Sequence, residues 1–138
     1  MTILRHLALR CRDLERSRKF YEDVIGWSFV GFRPRGVALD LSDGVNNITL
    51  IQQPPEDCDR PVLEEGREYV HFGVIVDDLD AIWQRLHAWG ATLSKENVKE
   101  RNPIDPTVRP PVSFKVLDPD GNVVDITCNR EEWRGVTA

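Results

Sequence analysis

Three residues far apart in the chain, His6, His71 and Asp125, carry the chemistry of a metal-ligand set. Two imidazoles and one carboxylate brought onto one face hold a divalent ion from one side and leave its other positions open to substrate. Asp125 raises the question most sharply, because it stands between Val124 and Ile126 in the apolar run NVVDITC. A buried carboxylate with nothing to compensate it costs roughly several kcal/mol, so it is normally paired, protonated, metal-bound or not fully buried. The plainer alternative makes His6 and His71 hydrogen-bonded core residues and pairs Asp125 with one of them, with Arg10 or with Lys115. Two of the three residues occupy equivalent places in an internal repeat, which favours the metal.

The repeat shows which elements must position these residues. HLALRCRDLERSRKFYEDVIGW, from His6, aligns with HFGVIVDDLDAIWQRLHAWGA, from His71, at a constant offset of 65. In each copy a short strand ends at an aspartate suited to cap a helix, Asp13 or Asp78. Apolar residues three or four apart follow, and Gly26 or Gly90 closes the segment. Three β-type stretches come next: WSFVGF, GVALDLS and NNITLIQQ in the first half, then ATLS, VSFKVLD and NVVDITC in the second. The last pair in each half is joined by Asp-Gly, at Asp43-Gly44 and Asp120-Gly121, a hairpin signal. Both halves therefore predict β-α-β-β-β. The expected fold is α+β: two paired βαβββ modules forming a cup-shaped, partly open β-barrel with the helices outside. The modules are expected at about 1–53 and 68–128, with a linker at about 54–67 and a C-terminal tail at 129–138 of one domain.

Period-two alternation assigns the faces. Leu7, Leu9 and Cys11 form the helix-facing set of the first strand, which leaves His6, Ala8 and Arg10 on the other side. In the repeat, Phe72, Val74 and Val76 face the helix and His71, Gly73 and Ile75 do not. In the last strand Val124, Ile126 and Cys128 face the helix, turning Asp125 and Thr127 inward. The corresponding inward position in the first half is Thr49, between Ile48 and Leu50; counting from the Asp-Gly turn gives Ile48 instead. Arg10 and Lys115 share the inward phase and suit a substrate carboxylate or phenolate, so with Thr49 they are the candidate substrate contacts. Trp27, Trp83, Trp89, Phe20 and Tyr21 are expected in the core, and His87 and Trp133 at the surface or an interface. The proline-rich loop KENVKERNPIDPTVRPP is expected to form a rim that sets substrate selectivity.

Composition excludes several function classes. The 138 residues carry 18 Lys and Arg against 23 Asp and Glu, a net charge of −5, with no basic run interleaved with aromatics. Nucleic acid and anionic membranes are therefore not expected partners. With no signal-peptide pattern and no long apolar run, the expected location is the cytoplasm. Cys11, Cys58 and Cys128 fit neither a disulfide framework nor a zinc cluster; they are expected to be reduced, with Cys11 and Cys128 in the core. No Ser-His-Asp, reactive-cysteine or phosphate-loop pattern is present.

RHLALRCRDLERSRKFYEDVIGW, EYVHFGVIVDDLDAIWQRL and SFKVLDPDGNVVDI together resemble the vicinal oxygen chelate superfamily of paired βαβββ modules. That superfamily includes glyoxalase I, methylmalonyl-CoA epimerase, extradiol dioxygenases, fosfomycin-resistance thiol transferases and metal-free bleomycin-binding proteins. The resemblance implies metal positions at His6, at the inward position of the first module's last strand, at His71 and at Asp125. Two of these depart from the pattern: aspartate replaces the usual glutamate at 125, about 1.5 Å shorter in reach, and neither Thr49 nor Ile48 is a good ligand. With only one carboxylate found for the cup, the three-ligand members are the nearer match. The expected function is a metal-dependent enzyme acting on a small oxygen-chelating substrate, leaning to extradiol-dioxygenase-like chemistry. One divalent ion per site is implied, Fe(II) favoured, with Mn(II) or Zn(II) as alternatives. The rival functions are a metal-free binding or sequestration protein, or a thiol transferase or isomerase of the same fold. A homodimer is expected, because open four-stranded sheets leave edges to cover.

Overall fold

The computed structural model describes residues 5–57, 71–94, 105–132 and 134. Cys58, Trp133, the segment GREYV and residues 95–104 of the proline-rich loop lie outside the described residues. The chain forms two compact units, Met1–Pro61 and Val62–Ala138.

In the first unit, strand β1 (His6–Cys11) leads into helix α1 (Leu14–Phe20) and then into strands β2 (Ser28–Phe32), β3 (Ala38–Ser42) and β4 (Asn47–Gln52). The strands form one sheet in the order β1-β4-β3-β2, with β1 and β4 parallel and the other pairs antiparallel. The second unit repeats the design with β5 (Phe72–Ile75), α2 (Leu79–Trp89), β6 (Thr92–Leu93), β7 (Ser113–Leu117) and β8 (Val123–Thr127), in the order β5-β8-β7-β6. The protein is thus α+β, two βαβββ modules of one topology, as the repeat predicts.

The local signals act as expected. The Asp13 carboxylate accepts from Arg16 N and the Asp78 carboxylate from Ala81 N, so each caps its helix. Gly26 and Gly90 end their segments in the left-handed region, at φ of 92° and 79°. Helix α1 differs in one respect: past Phe20 it widens into a π turn, Tyr21–Ile25, in which Gly26 N and Trp27 N both donate to the Tyr21 carbonyl. Regular spacing would swing one of two adjacent aromatics to solvent, yet Phe20 and Tyr21 are both wholly buried. The extra residue in the turn rotates the end of the helix so that Val24 and Ile25 are buried as well.

The buried strand residues of the first sheet include Leu9, Cys11, Leu39, Leu41, Ile48 and Leu50, and those of the second include Phe114, Val116, Val124 and Ile126. Each such side chain contributes about 1.5–3 kcal/mol by leaving water. Cys128 departs from expectation: β8 ends at Thr127, and Cys128 is only half-buried, with its sulfur near the Val112 carbonyl. Trp27 stacks on Tyr21 with ring centroids 5.0 Å apart and Trp83 packs edge-on against Phe114, yet both are half-buried, covering the core margins.

Replacing either cap, Asp13→Ala or Asp78→Ala, should cost about 1 kcal/mol in urea unfolding, whereas Phe20→Ala should cost about 3–5 kcal/mol. Caps that proved neutral would mean the helices are held by packing alone.

Candidate metal centre

Each sheet has one face under its helix and one open face, and the strand register orders the open face into rows. In the first unit the rows are His6, Asn47, Ser42 and Ser28; then Ala8, Thr49, Asp40 and Gly31; then Arg10, Ile51 and Ala38. His6, Ala8 and Arg10 are all exposed, as alternation requires. Thr49 pairs with Ala8 while Ile48 pairs with the helix-facing Leu7, which decides the register in favour of Thr49.

His6 Nδ1 lies 2.7 Å from Asn47 Oδ1. An amide oxygen only accepts, so the ring nitrogen facing it carries the proton and a neutral ring keeps its lone pair on Nε2. That is the tautomer a metal or a proton acceptor requires. The row above is knitted together more tightly. The Thr49 hydroxyl donates to Asp40 Oδ1 at 2.7 Å and accepts from Arg33 Nη2 at 3.1 Å, while Arg33 Nε lies 3.1 Å from both Asp40 oxygens. Thr49 also lies 3.1 Å from Asn47 Oδ1, which joins this group to His6.

Asp40 is a carboxylate on the open face of the first unit, at a position not among the expected site residues. The alternation of buried Leu39, partly exposed Asp40 and buried Leu41 was available in GVALDLS as its signal. Burial raises the Asp40 pKa, but hydrogen bonds from Arg33, Thr49 and Asn47 and the Arg33 charge outweigh it and hold the group below 3.8. Thr49, expected to meet substrate, is 2% exposed, and its hydroxyl serves Asp40 and Arg33.

In the second unit the row Gly73, Asp125 and Lys115 crosses the open face. Asp125 is therefore where alternation puts it, with a residue lacking a side chain on one flank and a lysine on the other. His71 immediately precedes β5, and its Nε2 lies 3.5 Å from Asp125 Oδ2, with side chains 27% and 16% exposed. That is an ion-pair separation, and it is also close to the spacing of about 3.4 Å between two ligands bound to one tetrahedral ion at about 2.0–2.1 Å. Among the described residues no three His, Cys, Asp or Glu side chains gather into a metal site. The structure thus brings His71 together with Asp125, and His6 together with Asn47.

The depressed Asp40 pKa has a stability consequence. A carboxyl whose folded pKa is lowered contributes stability that is present above its unfolded value near 3.8 and is lost as pH falls through the lower folded value. Melting temperature should therefore drop on acidification below about pH 4, and Asp40→Asn should flatten part of that drop. An unchanged acid limb in Asp40→Asn would show that Asp40 stabilises nothing through its charge.

Residues 3–126 match the family model of the glyoxalase/bleomycin resistance protein/dioxygenase superfamily. The chain is 26% identical over 125 residues to a glutathione transferase FosA of Serratia marcescens, covering 89% of this chain and 78% of the relative. It is 27% identical over 139 residues to a lactoylglutathione lyase of Haemophilus influenzae, covering 95% of this chain and 96% of the relative. Among solved structures, the fosfomycin resistance protein FosX of Mesorhizobium loti has a TM-score of 0.67 at 18% identity, over 94% of this chain and 93% of that one. With its doubled βαβββ topology and a match that spans nearly its full length, the chain belongs to the glyoxalase/bleomycin resistance protein/dioxygenase superfamily.

Proposed function

We propose that His6, His71 and Asp125 are the residues that hold one divalent metal ion, and that the protein is a metal-dependent enzyme acting on a small oxygen-bearing molecule. The observation that carries this reading is the His71 and Asp125 pair, spaced like two ligands of one ion. His6 supports it, because Asn47 presents Nε2 as the free lone pair.

Redox-neutral transfer or isomerisation with a thiol is the reaction class we favour, since both relatives, a glutathione transferase and a lactoylglutathione lyase, are named for thiol chemistry. In a transfer of this kind the sulfur bonds to an electrophilic carbon as that carbon's bond to oxygen breaks; the oxygen keeps the electron pair and takes the proton that the thiol loses. A bound metal would supply charge stabilisation at that oxygen. The chain's own residues would orient the substrate: Lys115 beside Asp125, and Arg10 on the open face that carries His6. Fe(II) oxygenase chemistry of the extradiol type is the second reading, favoured by the two histidines and one carboxylate.

Protein purified without chelator should carry divalent metal, and His71→Ala should lose it. Asn47→Ala should weaken metal affinity about tenfold or more while leaving the ligands in place. Equal metal content in the wild type and His71→Ala would end the proposal. A homodimer would cover sheet edges, and mixing His6→Ala with Asp125→Ala chains tests whether ligands are shared: restored metal binding means that two chains complete one site.

Turnover separates the reaction classes. Zinc- or manganese-loaded protein should consume glutathione in the presence of a small epoxide or α-keto aldehyde without taking up dioxygen. Dioxygen uptake with catechol by the Fe(II) protein alone would favour the oxygenase reading, because zinc has no redox chemistry. Equal ligand binding by metal-free protein and by His6→Ala, with no turnover, would favour sequestration.

A further inference from the structure

Arg33 follows the second strand of the first unit, and its guanidinium is fixed by acceptors on two other strands. Nε faces both Asp40 oxygens and Nη2 faces the Thr49 hydroxyl, each at 3.1 Å. These contacts all use the edge shared by Nε and Nη2. The end of the group, formed by Nη1 with the second hydrogen of Nη2, meets no acceptor among the described residues, and the side chain is 48% exposed. A guanidinium held in this way presents two parallel N–H bonds to whatever approaches its end, with its rotamer entropy already lost to Asp40 and Thr49.

We propose that this end of Arg33 is a binding subsite for the carboxylate of a small molecule. A planar, bidentate acceptor matches the two N–H groups in spacing and charge. Arg10 stands on the same open face, paired with Ile51 and one diagonal step from Thr49 in the register. The Arg33 and Asp40 charges offset one another, and the exposed Arg10 adds a further positive charge to the same open face. Ile51, 40% exposed in the same row as Arg10, offers apolar surface for the body of such a ligand. The subsite lies on the same face as His6 through Thr49 and Asn47, and it does not require the metal.

Benzoate is a suitable probe, with benzamide as its uncharged counterpart. Titration of benzoate into the full-length metal-free protein, followed by NMR, should move the Arg33 side-chain signals and the amides of Asp40 and Thr49 in a saturable way. Arg33→Gln should weaken binding at least tenfold; Arg33→Lys should also lose most of it, because an ammonium keeps the charge without the fork. Shifts that map elsewhere in the wild-type protein overturn the proposal without need of any variant. So does benzamide binding as tightly as benzoate, or undiminished binding by Arg33→Gln or Arg33→Lys. Metal content is the separate readout for His6, His71 and Asp125: Arg33→Gln should leave it unchanged. Wild-type protein that binds benzoate at Arg33 but no metal would retain this subsite and remove the metal reading.

Discussion

Parallel strands cannot be joined by a tight turn, because the chain has to travel back along their length before the second can begin. Each module makes its first strand the parallel partner of its last, His6–Cys11 against Asn47–Gln52 and Phe72–Ile75 against Val123–Thr127. The helix and the hairpin are what fills that return path. The helix covers one face of the sheet, so the leucines, isoleucines and valines of alternate positions have somewhere to go. Everything polar on the same strands is left on the opposite face. The pairing thereby decides that His6 stands next to Asn47 and that Asp125 stands next to Gly73.

The functional groups inherit their settings from this arrangement. Asn47 can orient His6 because a parallel register sets them side by side, although 41 residues separate them. Thr49 can serve Asp40 and Arg33 because it lies in a central strand, between β1 and β3. The two hairpins that close the return path are built alike: the Asp43 carboxylate accepts from Val45 N and Asn46 N, and the Asp118 carboxylate from Asp120 N and Asn122 N. In the first turn burial raises the Asp43 pKa, but the hydrogen bonds from Asn46 and Val45 prevail and lower it.

Much of this was legible in the sequence, for a physical reason. Strand alternation and helix capping are local, so the faces of His6, Thr49 and Asp125 and the starts of both helices follow from residues a few positions apart. Asp40 escaped because Val37, Ala38, Leu39 and Leu41 around it read as a buried run, although the polar residue sits in the correct phase for the open face. Arg33 is harder still. It leaves the end of a strand beside Pro34 and reaches back over two others, and no period in the sequence encodes a side chain that long. The π turn after α1 likewise answers to the packing of Phe20 and Tyr21, which only the assembled core decides. The metal ligands proposed here were found by type and phase, and their chemistry is set by neighbours such as Asn47 that the same reading passed over.

The first-to-last strand pairing also governs when each module can become a folded object. During synthesis β1 emerges early and waits: its partner does not begin until Asn47, and the sheet is incomplete until Gln52 has appeared. The second module waits longer, from Phe72 until Thr127. Contacts so distant in sequence close slowly, and until they close the apolar faces of β1 and β5 are uncovered in a nascent polypeptide. The burden is unequal, since the first unit can be complete while the second is still being translated, and a chain cut short before Val123 would carry one finished module and one whose first strand has no partner.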